Sequence, residues 1–459
     1  MTITGNITGA VLVMALFALG MSMVGCTANL PIRTSLQADD VPGVDPTKAV
    51  IETTPDYKLG IVEFDDQGWF WIPQQRVVVE QMIRQQAGLG AELGAGLGSG
   101  NGGSSQGIIL VAFVHGWKDN AQRDNDGLKA FRGILTQLNK AEQAQQDHPA
   151  RKVVGVYGAW RGLSATWEPF KELSIWDRKD TAHKVGGYGA MTQLLVDLDN
   201  IQKESLEKLP PNAPRTELII IGHSLGAAAV YSGVSQILTA RFADAILKHE
   251  RLKPLGDQII LLNPAFEAGR HYNLDQMAHS IEHYPADQRP VLSIFTSKGD
   301  WATHYVFPIS RYFSTIFDKY RDAAQRKANV ETVGWYEPFV THELIYRGGT
   351  RAPATQTSTL NLATLQHELS STDRLLASHE NIKAQRSKWQ PGDHPPRTYD
   401  FDDTVLRPLN GFHPGDPFLV VSVDKPIMED HNDINNPVLI NFIREYIQFC
   451  QVEPHDHSK

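Results

Sequence analysis

The pentapeptide Gly222-His223-Ser224-Leu225-Gly226 sets a serine between two glycines at the spacing G-x-S-x-G, the spacing of a nucleophile carried on a sharp turn. A serine hydroxyl ionises far above neutral pH. Attack on a carbonyl therefore demands a base to take its proton, an acid to orient that base, and N–H donors for the oxyanion that forms. Because such a pentapeptide arises readily by chance, its flanks decide its meaning. Leu218-Ile219-Ile220-Ile221 before it reads as a buried strand, and Ala227-Ala228-Ala229 after it opens a helix. A strand-turn-helix of this kind strains the backbone at Ser224 and exposes its hydroxyl, and any side chain two residues before or after would collide.

The elements that must hold such a site follow a repeated beat of apolar strand and amphipathic helix, which means an α/β protein with a parallel sheet. Strands are expected at 108–114, 153–157, 218–221, 258–262, 291–296 and 419–423, near-continuously apolar as when helices cover both faces. Helices are expected near 121–142, 190–206, 225–247 and 437–449. The last is marked by Asn436 as N-cap, Pro437 in the first turn, and one apolar face of Leu439, Phe442, Ile443, Tyr446 and Ile447. Two short runs at 59–64 and 69–72, separated by Asp65-Asp66-Gln67-Gly68, have hairpin spacing. With that hairpin the expectation is an eight-stranded, mostly parallel sheet. A helix is also expected at 74–86, followed by the Gly-rich tract 88–107. No Lys-Ser/Thr pair follows that tract, so it reads as a surface linker rather than a phosphate cradle. No internal repeat is present.

The order of opening hairpin, a strand Val111-Ala112-Phe113-Val114 ending in His115-Gly116-Trp117, and then the serine turn resembles the α/β-hydrolase superfamily. The likeness is to its lipase and esterase branch, across residues 58–300 and 417–449. It implies that fold, no cofactor, and an oxyanion hole made by the backbone N–H groups of Trp117 and Leu225, with His115 stabilising the loop. It also implies an acid at the end of the strand two beyond the serine. Asp300, in Ser297-Lys298-Gly299-Asp300, is favoured there over Glu267, which follows the previous strand. The base is implied after the last strand, at His431 in Asp430-His431-Asn432-Asp433, in preference to His304, His342 and His413. The chain order Ser224, Asp300, His431 then matches Ser…Asp…His. The sequence departs from the family at 301–416, where the core needs only a helix. That segment, with helical periodicity at 309–329 and 365–388, is expected to be an inserted cap over the substrate. Trp160, Trp301 and Tyr305 are candidate walls of an apolar acyl site, and Arg161 is a candidate grip for an anionic group.

The first 25 residues carry no charged side chain, and 10–24 is an apolar run broken only by Gly20 and Ser22. This is too short to span a bilayer and suits a secretory signal. Its end, Met23-Val24-Gly25-Cys26, resembles the lipobox of bacterial lipoproteins, which implies that Cys26 is acylated and becomes the N-terminus. Thr27 rather than Asp in the next position resembles outer-membrane sorting, so a cell-envelope lipoprotein is expected. The organisation expected is a signal peptide 1–25, a flexible tether 26–57, a hydrolase core 58–300, a cap 301–416, a closing strand and helix 417–449, and a tail 450–459.

Composition narrows the classes further. With 43 Lys and Arg against 52 Asp and Glu, the chain carries net charge −9, which argues against a phosphate-tracking nucleic-acid surface. Two cysteines, Cys26 and Cys450, give no disulfide framework. His342-Glu343 begins like a zinc-protease helix, but Tyr346 stands where H-E-x-x-H needs its second histidine. The tail His455-Asp456-His457 is terminal, and no metal is implied. The expectation is a membrane-tethered serine hydrolase acting on an ester or thioester of a small molecule or lipid. An acyltransferase using the same residues and a non-catalytic surface binder are the alternatives.

Overall fold

Along each central strand, alternate side chains go to opposite sides of one sheet. In the computed structural model Ile108, Leu110, Ala112 and Val114 enter one apolar core, while Ile109, Val111 and Phe113 enter the other. Both cores are closed by helices, which is why these strands are apolar at every position. The structure describes residues 29–90, 106–145, 148–163, 170–210, 213–285, 288–348, 372–389, 397–409, 412 and 415–451. The expected signal peptide, Cys26, most of the Gly-rich tract, His413 and the terminal histidines lie outside the described residues.

The chain opens with β1 (Ser35–Ala38), β2 (Ala49–Thr53), β3 (Tyr57–Phe64) and α1 (Pro73–Gln86). It continues through β4 (Ile108–Val114), α2 (Asp126–Ala144), β5 (Lys152–Trp160), α3 (Phe170–Gly187) and α4 (Ala190–Lys208). Then come β6 (Glu217–His223), α5 (Leu225–Lys248), β7 (Gln258–Leu262), α6 (Tyr272–His279) and β8 (Leu292–Ser297). Beyond them lie α7 (Phe307–Ser314), α8 (Ala323–Val330), β9 (His342–Tyr346), α9 (Thr372–Ser387), β10 (Tyr399–Asp400) and β11 (Thr404–Pro408). β12 (Phe418–Val423) and α10 (Pro437–Cys450) complete the described chain.

The strands form a 12-stranded sheet in the order β1-β2-β3-β5-β4-β6-β7-β8-β12-β9-β11-β10. From β3 through β9 every neighbouring pair is parallel. Twelve strands replace the expected eight because the segment before β3 extends one edge of the sheet and the segment 301–416 extends the other. Of the expected tether 26–57, the described residues 29–57 are not structureless, since β2 pairs antiparallel with β3 and β1 lies beside β2. Arg33 is fully buried there. Its guanidinium donates to the Ala121 carbonyl at 2.7 Å and to Glu52 at 2.9 Å, which offsets the cost of burying the charge. The expected hairpin is reduced to its turn: the run 69–72 forms no strand, and only an isolated antiparallel bridge, Phe64 to Phe70, with the Trp71 N–H on the Glu63 carbonyl at 2.9 Å, joins it to β3.

The segment 301–416 is not a cap throughout. Its later part forms β9, β11 and β10, which extend the sheet past β12, and α9 is joined to α10 by the Ser378 hydroxyl on Glu445 at 2.5 Å. Its first part begins directly after β8, at the carboxyl ends of the parallel strands, where open α/β sheets carry their sites.

Candidate active site

At the end of β6 the chain turns through Ser224 and directly into α5. Ser224 has φ 54° and ψ −122°, a region costing a non-glycine residue about 1–3 kcal/mol. The turn is held by the Ser224 N–H on the Leu262 carbonyl at 3.0 Å and by the Ala265 N–H on the Ser224 carbonyl at 3.1 Å. The two glycines are there for space. A Cβ on Gly222 would lie 2.7 Å from the Ala227 Cα, and one on Gly226 would lie 2.2 Å from the Val114 and His115 carbonyls.

Three strand ends converge on this turn. His431 follows β12, and its Nε2 lies 2.7 Å from the Ser224 Oγ. Its Nδ1 lies 2.9 Å from the Asp300 Oδ2, so the imidazole is held as donor to the carboxylate and acceptor toward the serine. Asp300 follows β8 and is 1% exposed. Its oxygens also accept from the Thr303 N–H at 3.0 Å and the Thr303 hydroxyl at 2.5 Å. Burial pushes the Asp300 carboxyl up, but the His431 imidazole and the Thr303 donors outweigh it and hold the group below the usual carboxylate range. Trp335 Nε1–H donates in turn to the Thr303 hydroxyl at 3.1 Å.

The backbone of the His431 loop is pinned by two residues whose role was not read from the sequence. The Asn263 side-chain amide donates to the carbonyls of His431 at 3.0 Å and Asp430 at 3.2 Å, and its Oδ1 accepts the Ser297 N–H at 2.8 Å. Asn263 has φ 43°, a left-handed conformation that Asn tolerates better than most residues. His223 Nε2 lies 2.8 Å from the His431 carbonyl, and burial pushes that imidazole down to about 3, so it stays neutral and donates one N–H. The available signal was position: both residues close strands adjacent to the serine turn. Gly299 completes the contact, since a Cβ there would lie 1.9 Å from the Glu429 carbonyl.

Across the serine, β4 pairs with β6 so that Val114 lies opposite Gly222. The loop after β4 therefore abuts the turn, and a Cβ on Gly116 would lie 2.7 Å from the Ser224 Cβ. His115 is buried, accepts the Trp160 N–H at 3.0 Å, and approaches the Gly116 carbonyl at 2.9 Å through Nδ1. Desolvation takes its pKa down to about 4, so it braces this loop as a neutral ring. Trp117 and Leu225 both line a cavity of about 310 Å³ that also contains Ser224, His431, Trp301 and Phe307. Leu225 is the first residue of α5, where an N–H has no acceptor within the helix.

Other expectations fare differently. Glu267 does not approach His431. It is 5% exposed and enclosed by Lys179, by Arg311 at 2.9 Å and by Arg270 at 3.2 Å. Burial raises the Glu267 carboxyl, but these three cations bring it down to about 2. Trp160 is no pocket wall: it is buried, and its ring stacks on His115 with centroids 5.7 Å apart. Trp301 does line the cavity, whereas Tyr305 faces outward and touches the ring of His304. Arg161 is engaged with Asp66, which also accepts from Arg178 at 2.7 Å, so it is not poised over the cavity. His342 is buried in β9 and lies far along the sheet order from β6. Among the described residues no group of three or more His, Cys, Asp or Glu is placed to hold a metal ion.

A scan against family models matches none of them, and a search of curated proteins finds no significant match.

Proposed function

We propose that this chain is a serine hydrolase of the α/β-hydrolase superfamily that cleaves carboxylic esters or thioesters through an acyl-enzyme. The observation that carries the reading is the hydrogen-bonded relay Ser224–His431–Asp300, 2.7 Å and 2.9 Å, hung on a serine at positive φ. The parallel run of strands from β3 to β9 suits a hydrolase core to which edge strands have been added. Ser224 Oγ attacks the carbonyl carbon as His431 Nε2 takes its proton, and Asp300 stabilises the imidazolium that results. The N–H groups of Trp117 and Leu225 receive the oxyanion, each such donor contributing about 3 kcal/mol to the transition state. His431 returns the proton to the leaving alcohol or thiol, then draws one from water so that hydroxide character develops at the acyl carbon. Deacylation restores Ser224. The cavity walls Leu225, Val306 and Phe307 suit an apolar acyl group.

Envelope attachment through an acylated Cys26 belongs to the same proposal and rests on the sequence. Among the described residues no helix is long and apolar enough to cross a membrane.

The test is hydrolysis of a nitrophenyl ester. A rapid burst of nitrophenol, stoichiometric with enzyme and lost in Ser224→Ala, is expected. With added alcohol the free acid should remain the main product, because a transferase would yield mainly the new ester. Folded protein with no burst and no turnover across short and long acyl chains would overturn the reading.

A further inference from the structure

The helical segment that begins beside Asp300 has two faces, and the one turned away from the protein is apolar. A π-helical stretch, Ala302–Val306, runs directly into α7, and its inner face gives Ala302, Thr303, Val306, Phe307 and Ser310 to the cavity. On the outside stand Tyr305, Ile309, Tyr312 and Phe313, and the turn that follows α7 adds Ile316 and Phe317. Phe313 is 65% exposed, Ile316 60% and Phe317 94%. Scattered apolar residues on a surface need no explanation, but a stripe of this density at one rim marks a binding surface.

Two observations say what covers it. Apart from Arg311, which is held by Glu267, residues 301–327 carry four basic side chains, Lys319, Arg321, Arg326 and Lys327, against Asp318 and Asp322, in a chain whose net charge is −9. Arg326 lies over the Tyr312 ring at 5.3 Å, which puts a cation on the border of the stripe. Aromatic and aliphatic residues edged by Lys and Arg are the composition of helices that lie in the headgroup layer of an anionic bilayer. The second observation concerns where the chain leaves the fold. The N–H groups of Ile32 and Arg33 are bound by Glu63, next to last in β3, and the Arg33 side chain reaches Ala121 beyond the end of β4. The described chain therefore begins at the carboxyl ends of the strands, the end that carries Ser224 and the stripe, and the sequence before it holds the apolar run 10–24.

We infer that the stripe from Tyr305 to Phe317 docks in the interface of an anionic lipid bilayer, turning the mouth of the Ser224 cavity toward the lipid. The consequence for substrate supply rests on the hydrolase reading; the docking itself does not.

The full-length chain is mixed with phosphatidylglycerol vesicles carrying a diazirine on the acyl chain, irradiated, and digested for mass spectrometry. Lipid adducts are expected on the peptides spanning 301–319. They should weaken when phosphatidylcholine replaces phosphatidylglycerol or when salt is raised. The triple variant Ile309→Asp, Phe313→Asp, Phe317→Asp should lose at least about tenfold of the adduct yield, with its thermal transition and its hydrolysis of a soluble short-chain ester unchanged. Adducts confined to other peptides, or equal yields on neutral vesicles, would overturn the proposal. So would a dimer that dissociates in the triple variant, since a second copy would then own the stripe. Because the adducts are read without turnover, failure of the hydrolase reading leaves this test intact.

Discussion

Asp300 and Glu267 follow neighbouring strands of the sheet, β8 and β7, and both are buried, yet they have become different kinds of group. Asp300 faces one imidazole and the two donors of Thr303, so its charge is spent on orienting His431. Glu267 faces Lys179, Arg270 and Arg311, so its charge holds three side chains together under the wall of the cavity. Both carboxyls sit below their ordinary range despite burial, and for the same kind of reason, nearby positive or donating partners. What separates a candidate catalytic acid from a structural one is therefore neither burial nor strand position. It is whether the partner can itself move a proton.

Ser224→Ala sets the scale and should lower turnover of an activated ester roughly 10⁶-fold, as when a nucleophile acting with its base is removed. Asp300→Asn keeps the shape but no longer anchors the correct tautomer of His431, and turnover should fall on the order of 10⁴-fold. Glu267→Gln should leave turnover within about tenfold, while lowering unfolding free energy in urea by about 3 kcal/mol through three cations left without their counter-charge. Equal losses of turnover in these two variants would erase the distinction. Asn263→Ala removes one of the two donors to the His431 carbonyl, and with it the tie to Asp430, and should cost roughly 10²-fold in kcat, the usual effect of misplacing a reacting group by about 1 Å.

A pH titration of stability sharpens the same contrast. Glu267 is depressed to about 2, so its contribution is present above the unfolded value of 4.5 and is lost as pH falls from there toward 2. Glu267→Gln should flatten that limb. A separate limb should persist in the variant, beginning near pH 6.5. His115, His223 and His271 are depressed to about 4, 3 and 4 by burial, so below 6.5 the unfolded chain binds protons that the folded one refuses. Denaturant midpoints measured from pH 7 to 3 would separate the two.

Much of this arrangement was legible in the sequence because it is locally encoded. Strands 108–114 and 258–262 are bounded as expected, since an unbroken apolar run between polar breaks has few other fates. The serine turn was legible because Gly222 and Gly226 occupy positions where any Cβ collides. Strand ends also told where an acid and a histidine would stand. What stayed hidden depends on partners distant in the chain. β1 and β2 lie in a Pro-rich stretch, and they are fixed by Arg33 reaching Glu52 and Ala121. α3 was missed because its apolar residues make no regular stripe, and it buries the polar Arg178 and Thr181 alongside Ala182 and Val185. The order of strands favoured Asp300, but what Glu267 does instead needed the positions of Lys179 and Arg311, 88 residues before Glu267 and 44 after it by number. No local pattern carries that.

The most direct test of the central claim is reaction of the purified wild-type chain with a fluorophosphonate, followed by peptide mapping. The relay described here predicts one phosphonyl adduct, on Ser224, formed rapidly at neutral pH, abolished in Ser224→Ala and strongly slowed in Asp300→Asn. Folded wild-type protein that stays unlabelled, or a label that persists in Ser224→Ala, would contradict it.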